Sequence, residues 1–221
     1  MKPIDDSTLD STATLAAETV RLSMESPIGR LTLTANTAGE IVSVVIAPDG
    51  TLSGAELAAE HLADEHLADG ELAERATAAL RRAAGQLSEY FAGTRTAFTV
   101  TLAAPAGTAF QRTVWQRIAD IPYGEGATYG QIALDVGKPG AGRAVGFAVA
   151  ANTQPLFVGC HRVLGVSGHV TGYSQGAGTP TKQWLLQHEG TPHRPDAREQ
   201  DQPRLLATTS STTSSSSPAA P

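Results

Sequence analysis

The segment from Met24 to Ala35 sets Leu31, Leu33 and Ala35 between polar neighbours, and Ile41-Val-Ser-Val-Val-Ile46 is a β-branched run. Together they predict two strands of a small antiparallel sheet, with Gly29 and the stretch from Asn36 to Gly39 as turns. Order is expected to begin near Arg21, after a polar, threonine-rich arm over residues 1–20. From Ser53 to Ala92 the texture turns to Ala, Leu and Glu, with Ala76, Leu80, Leu87 and Phe91 at helical spacing. Phe98-Thr-Val-Thr-Leu102 predicts a further strand before a hinge at Ala103 to Gly107. Beyond it, Phe110, Val114, Trp115 and Ile118 share one face of a helix that stops at Pro122, which makes Trp115 a core residue rather than a base-stacking platform. Thr128 is a good N-cap for a short helix from Tyr129 to Val136, Gly137-Lys-Pro-Gly140 ends it, and a second helix runs from Ala141 to Ala151. Two short helices around a Gly/Pro turn have the shape of a helix-turn-helix. Thr181 to Gly190 reads as a last helix closed by glycine, and residues 191–221, rich in Ser, Thr and Pro, as a disordered tail.

This pattern divides the chain into an arm (1–20), an αβ domain (21–107), a helical domain (108–190) and the tail, an α+β class overall. At 221 residues with 41% apolar content the chain can bury such cores. No run approaches the ~20 apolar residues that span a bilayer, and Met1-Lys-Pro-Ile-Asp-Asp lacks a signal-peptide core. With a single cysteine, which excludes an internal disulfide, a cytoplasmic, reduced setting is expected. The formal charge of −6 argues against a polyanionic partner, yet its distribution reverses that reading. Residues 1–107 carry 7 Lys/Arg against 15 Asp/Glu, whereas 108–190 carry 6 against 4, so the helical half can approach phosphates.

The candidate chemistry sits in that half. Cys160 is followed by His161 and Arg162, and a thiol attacks as its thiolate, which calls for a nearby base or cation. Other motifs fail on spacing. Gly140-Ala-Gly-Arg-Ala-Val-Gly146 follows a helix and departs from the dinucleotide fingerprint, Gly137 to Arg143 lacks the Lys-Ser/Thr of a phosphate loop, and Ser167 has no glycine two places on for a nucleophile elbow. His61 and His66, in a five-residue unit repeated once, are too far apart along a helix to make a metal pair.

Taken in order, Trp115, Ile121-Pro-Tyr-Gly, Thr128-Tyr-Gly-Gln-Ile-Ala, Arg143-Ala-Val-Gly, Asn152, Cys160-His-Arg-Val, Gly172-Tyr-Ser and Leu185-Leu-Gln-His-Glu-Gly190 resemble the methylated-DNA–protein-cysteine methyltransferases, the O6-alkylguanine-DNA alkyltransferases. The resemblance covers 108–190 almost continuously and extends faintly over Ser26-Pro-Ile-Gly-Arg-Leu-Thr-Leu. It implies a ribonuclease H-like N-terminal domain and a winged-helix-like domain carrying the helix-turn-helix. It implies single-turnover transfer of an alkyl group from O6-alkylguanine, and also O4-alkylthymine, to Cys160 after the nucleotide is flipped from the duplex. By the same resemblance His161 deprotonates Cys160 through a water, Glu189 orients His161, Asn152 braces the turn, and Tyr129 hydrogen-bonds the base. Arg143 fills the vacated stack, Ala141, Gly142 and Gly146 lie close to the minor groove, and main-chain groups around Cys160 and Val163, with Tyr173 and Ser174, hold the guanine. The implied partner is double-stranded DNA, met by a monomer with no obligate protein partner, no membrane, no cofactor and no metal. Three departures stand out: Gly159 replaces the proline usual before the cysteine, Gln175 interrupts the glycines after Tyr-Ser, and Phe147 adds bulk to the second helix. The alternative within the family is a protein that binds alkylated DNA without transfer.

Overall fold

The computed structural model describes residues 19–47 and 70–195. The expectations for most of the N-terminal arm, for the His61/His66 repeat, for the first part of the 53–92 helix and for the tail from 196 lie outside the described residues.

The N-terminal sheet has three strands where the hydrophobic pattern predicts two: β1 (Thr19–Ser26), β2 (Gly29–Asn36) and β3 (Ile41–Ala47), antiparallel in that order. The segment on either side of the predicted Gly29 turn is a hairpin of β1 and β2. Gly29 turns it with φ +110°, a conformation that favours glycine, and the Ser26 hydroxyl donates to Gly29 O while accepting from the Ile28 N–H. Leu31, Leu33 and Ala35 point into a core covered by helix α1 (Gly70–Phe91), which presents Ala76, Leu80, Ala83, Leu87 and Tyr90 at alternating steps of four and three.

Residues 98–102 do not form the expected strand. Leu102 makes a lone parallel bridge to Ile41, and the Thr99 N–H is taken by the Gln86 side chain at 2.8 Å rather than by a neighbouring strand. A helix glutamine thus satisfies the backbone that a ladder would otherwise need.

The C-terminal half begins with α2 (Ala109–Ala119), capped by Thr108 and Gln111 in a reciprocal box. Trp115 is buried as expected, and its indole N–H donates to Ala148 O at 2.6 Å. The two-residue strand β4 (Ala127–Thr128) leads directly into α3 (Tyr129–Asp135), which Thr128 caps by accepting from the Gln131 N–H. α4 (Gly142–Ala150) packs against both α2 and α3, completing the helix-turn-helix. β5 (Val163–Leu164) pairs in parallel with β4. The last helix, α5 (Thr179–His188), starts two residues before its expected position, because Gly178 at φ +77° breaks the preceding loop and Pro180 is tolerated in the first turn. The class is α+β, as expected.

The two halves are tied by Gln154, which is 1% exposed and donates from Nε2 to Ile41 O at 2.8 Å and Ala103 O at 2.9 Å. Gln154→Leu keeps the volume but removes both bonds, leaving Ala103 O without its donor while Ile41 O keeps the Ala103 N–H. It should lower unfolding free energy by about 2 kcal/mol in urea titration, and a loss below about 0.5 kcal/mol would show that the tie is replaceable.

Candidate active site

Cys160 opens a single 3₁₀ turn, Cys160–Arg162, that runs straight into β5. The tight turn sends consecutive side chains in different directions. Cys160 lines a cavity of about 460 Å³, whereas His161 and Arg162 point inward to Glu189. Arg162 is therefore a partner of the carboxylate rather than the cation beside the thiol that its place in the sequence suggests. Asn152 bonds the chain on both sides of this turn: its Nδ2 donates to Val158 O at 3.2 Å and its Oδ1 accepts from the Gln154 N–H at 3.0 Å. Gly159 adopts φ −68°, within the range proline itself holds, so glycine leaves this turn in a proline-like conformation.

Glu189, at the C-cap of α5, collects four donors. Oε1 accepts from His161 Nε2 at 2.8 Å, Tyr90 Oη at 2.8 Å and Arg162 Nη2 at 2.9 Å, and Oε2 accepts from Arg162 Nε at 2.8 Å. Burial pushes the Glu189 carboxyl up, but the hydrogen bonds and charges of His161 and Arg162 overcome it and hold the group well below the usual carboxylate range. It is ionised and can only accept. His161 Nε2 must then carry the proton in that bond. Burial also pushes the His161 pKa down, against the pull of Glu189, so the resting imidazole is neutral with its lone pair on Nδ1. Nδ1 is buried and has no protein partner.

The thiol needs such a base. Burial pushes the Cys160 pKa up, only partly opposed by Asn152, Tyr173 and Lys182, so the sulfur rests protonated. Its Sγ lies 3.9 Å from the Tyr173 hydroxyl, to which it donates. Burial, followed by the neighbouring Cys160, likewise keeps Tyr173 neutral well above its ordinary range.

The cavity over Cys160 brings together Tyr129, Arg143, Gly146, Asn152, Tyr173 and Ser174, with Phe147 and Gln175 also lining it. Tyr129 accepts from the Thr171 hydroxyl at 3.4 Å and is held neutral by burial. Gly142 and Gly146 lie beside Tyr129, where a Cβ on either would make an ordinary contact at 3.8 to 3.9 Å. Ser174 donates to Ala150 O at 3.4 Å. Ala141 and Gly142 begin α4 without lining the cavity. Val163, expected to hold the guanine through its main chain, packs its side chain away from the cavity. It is fully buried outside the cavity lining, its N–H donates to Cys160 O and its carbonyl accepts from Lys182 Nζ.

Tyr90 and Lys182 are site residues that the sequence reading did not single out. Tyr90 follows the apolar period of α1, so its burial is legible, but its hydroxyl finds Glu189 across 99 residues of chain. Lys182 occupies a core-facing position of α5, a lysine inside an apolar stripe, and that misplacement was the available signal. Its ammonium donates to Val163 O and Thr171 O, pinning the strand behind the cysteine to the loop that carries Tyr173. Among the described residues no three His, Cys, Asp or Glu converge as a metal site, and no helix is long and apolar enough to cross a membrane.

Two family descriptions match the chain: "6-O-methylguanine DNA methyltransferase, ribonuclease-like domain" over residues 20–104, and "6-O-methylguanine DNA methyltransferase, DNA binding domain" over 109–191. The chain is 49% identical over 111 residues to the methylated-DNA–protein-cysteine methyltransferase of Methanosarcina acetivorans, an alignment covering 50% of this chain and 69% of that protein. It is 48% identical over 105 residues to the Salmonella typhimurium protein of the same name, covering 48% and 60%. Among solved structures it resembles Mycobacterium tuberculosis O6-methylguanine methyltransferase, with TM-score 0.63 and 36% identity over 78% of this chain and 93% of that one. It also resembles the M. tuberculosis OGT in complex with DNA, with TM-score 0.58 and 36% identity over 77% and 93%.

Proposed function

The chain belongs to the 6-O-methylguanine DNA methyltransferase family, and from that premise we propose that it repairs alkylated DNA directly, moving the alkyl group from O6-alkylguanine to its own Cys160. O4-alkylthymine, with the same alkyl-on-oxygen chemistry, is a second substrate. The observation that carries the reading is a buried thiol lining an open cavity, followed in sequence by His161, whose neutral imidazole bonds the ionised Glu189 and leaves Nδ1 free to accept.

In this reading the target nucleotide turns out of the duplex into the cavity, and Arg143 enters the space it leaves. The Cys160 proton passes to His161 Nδ1 through one water, and the imidazolium that forms is stabilised by Glu189. The thiolate attacks the alkyl carbon. A carbon–sulfur bond forms as the carbon–oxygen bond breaks, and the electron pair stays on the guanine oxygen. Tyr129 donates to the departing base, and the proton taken from the thiol ends on guanine. Asn152 keeps the turn in shape, while Ser174 and Tyr173 border the base. The thioether has no route back to a thiol in this site, so each molecule reacts once. The protein acts as a monomer in the cytoplasm, and neither metal nor cofactor takes part.

The test is the intact mass of the protein before and after incubation with a duplex carrying one O6-methylguanine. The expected gain is one methyl per molecule, absent in Cys160→Ala. Tight binding to the lesion with no mass gain would instead make the chain a recognition protein that marks alkylated bases without removing the alkyl group.

A further inference from the structure

Phe147 stands 79% exposed on α4, although that helix already satisfies the core with Val145, Ala148 and Val149. No apolar cluster among the described residues includes it. It lies one helical turn after Arg143, and both residues line the Cys160 cavity. A cation and an exposed aromatic ring therefore share one face of the second helix of the helix-turn-helix, beside the opening through which a base would reach the thiol.

We propose that Phe147 is a second DNA-contacting probe beside Arg143, its ring packing against a base that flanks the extruded nucleotide. The proposal rests on the DNA-repair reading above. Spacing supports it: residues four apart on a helix are separated by about 6 Å along its axis, more than the roughly 3.4 Å of one base step along a strand. If Arg143 occupies the vacated position, Phe147 thus falls over a neighbouring base rather than over the gap. Chemistry supports it as well. Apolar wedges are a recurrent means of holding an unstacked step open in the minor groove, and aromatic rings stack on any base without demanding its identity. Gly146, next to Phe147, lines the cavity beside Tyr129, so the ring and the cavity lining are adjacent. The occupant is duplex DNA around a lesion, in keeping with the mild excess of cations in residues 108–190 and with the DNA-bound M. tuberculosis relative.

The experiment compares the full-length wild type with Phe147→Ala and Phe147→Trp on two substrates, a duplex carrying one O6-methylguanine with 2-aminopurine beside it, and free O6-methylguanine. For Phe147→Ala the ratio of duplex to free-base transfer should fall about 5- to 150-fold, the range that removal of one stacking ring gives. The rise in 2-aminopurine fluorescence on binding should shrink with it, and Phe147→Trp should restore both. Urea unfolding checks that the exposed substitution leaves the fold intact. An unchanged ratio with unchanged fluorescence would overturn the proposal. Should the wild type bind the duplex without gaining mass, the transferase reading fails, and duplex affinity and fluorescence still decide the role of Phe147. A wild type that ignores the duplex defeats both.

Discussion

Glu189→Gln should slow alkyl transfer about a hundredfold or more and lower unfolding free energy by roughly 3 to 5 kcal/mol. Both effects come from one lost charge. The amide oxygen can take the place of Oε1, which already serves His161, Tyr90 and Arg162, so the imidazole keeps its tautomer. The amide nitrogen then faces Arg162 Nε, donor against donor, where the carboxylate had accepted at 2.8 Å. Arg162, with a side chain only 9% exposed, keeps just its bond to Ile121 O and the shared amide oxygen, and its charge is left without a counterion. Removing one member of a buried pair costs more than the pair itself contributes, because the survivor stays desolvated. In transfer, the imidazolium created when His161 takes the thiol proton loses the anion that stabilises it. Single-turnover transfer to an O6-methylguanine duplex and urea denaturation read the two effects separately. A variant that unfolds more easily yet transfers within threefold of the wild type would make Glu189 a structural anchor and remove it from the proton relay.

The C-terminal half was legible because each of its features is written locally. The Thr128 cap, the Gly/Pro turn between α3 and α4, the apolar face of Trp115 and the adjacency of Cys160 and His161 all lie within a few residues of one another. Failures arose where a distant partner decided the outcome. Residues 98–102 carry a strand composition, but Gln86 claims the Thr99 backbone, a choice that no local pattern encodes. Arg162 looked like a cation for the thiol because it is two residues away; the 3₁₀ turn and the four-donor demand of Glu189 point it elsewhere. The turn at Gly29 was legible, but β1 before it begins upstream of Met24 and was not counted as a strand of its own.

His161 should make the protein progressively less stable as pH falls below about 6.5, with a slope of at most about 1.4 kcal/mol per pH unit, down to the depressed value it has in the fold. The sign follows from burial. In the unfolded chain His161 binds a proton near its ordinary value of 6.5, whereas in the fold burial depresses its pKa, and the nearby Arg162 and Lys182 cations add to that against the pull of Glu189. Between those two values the unfolded state holds one more proton than the native state, so stability rises with pH through this window. Glu189 acts in the same direction only lower down. Its depressed pKa adds stability that is fully present above its ordinary value of 4.5 and is lost as pH falls below it. The interval from 6.5 to 4.5 therefore separates the histidine from the carboxylate. Urea unfolding at half-unit steps should show the slope in the wild type and a flatter line in His161→Gln; parallel lines would assign the protons to other histidines. The same depression has a catalytic side. A base that resists protonation below pH 6.5 stays able to take the Cys160 proton there, so the acid sensitivity of the fold is the counterpart of a thiol-activating imidazole held neutral in the dark interior of the site.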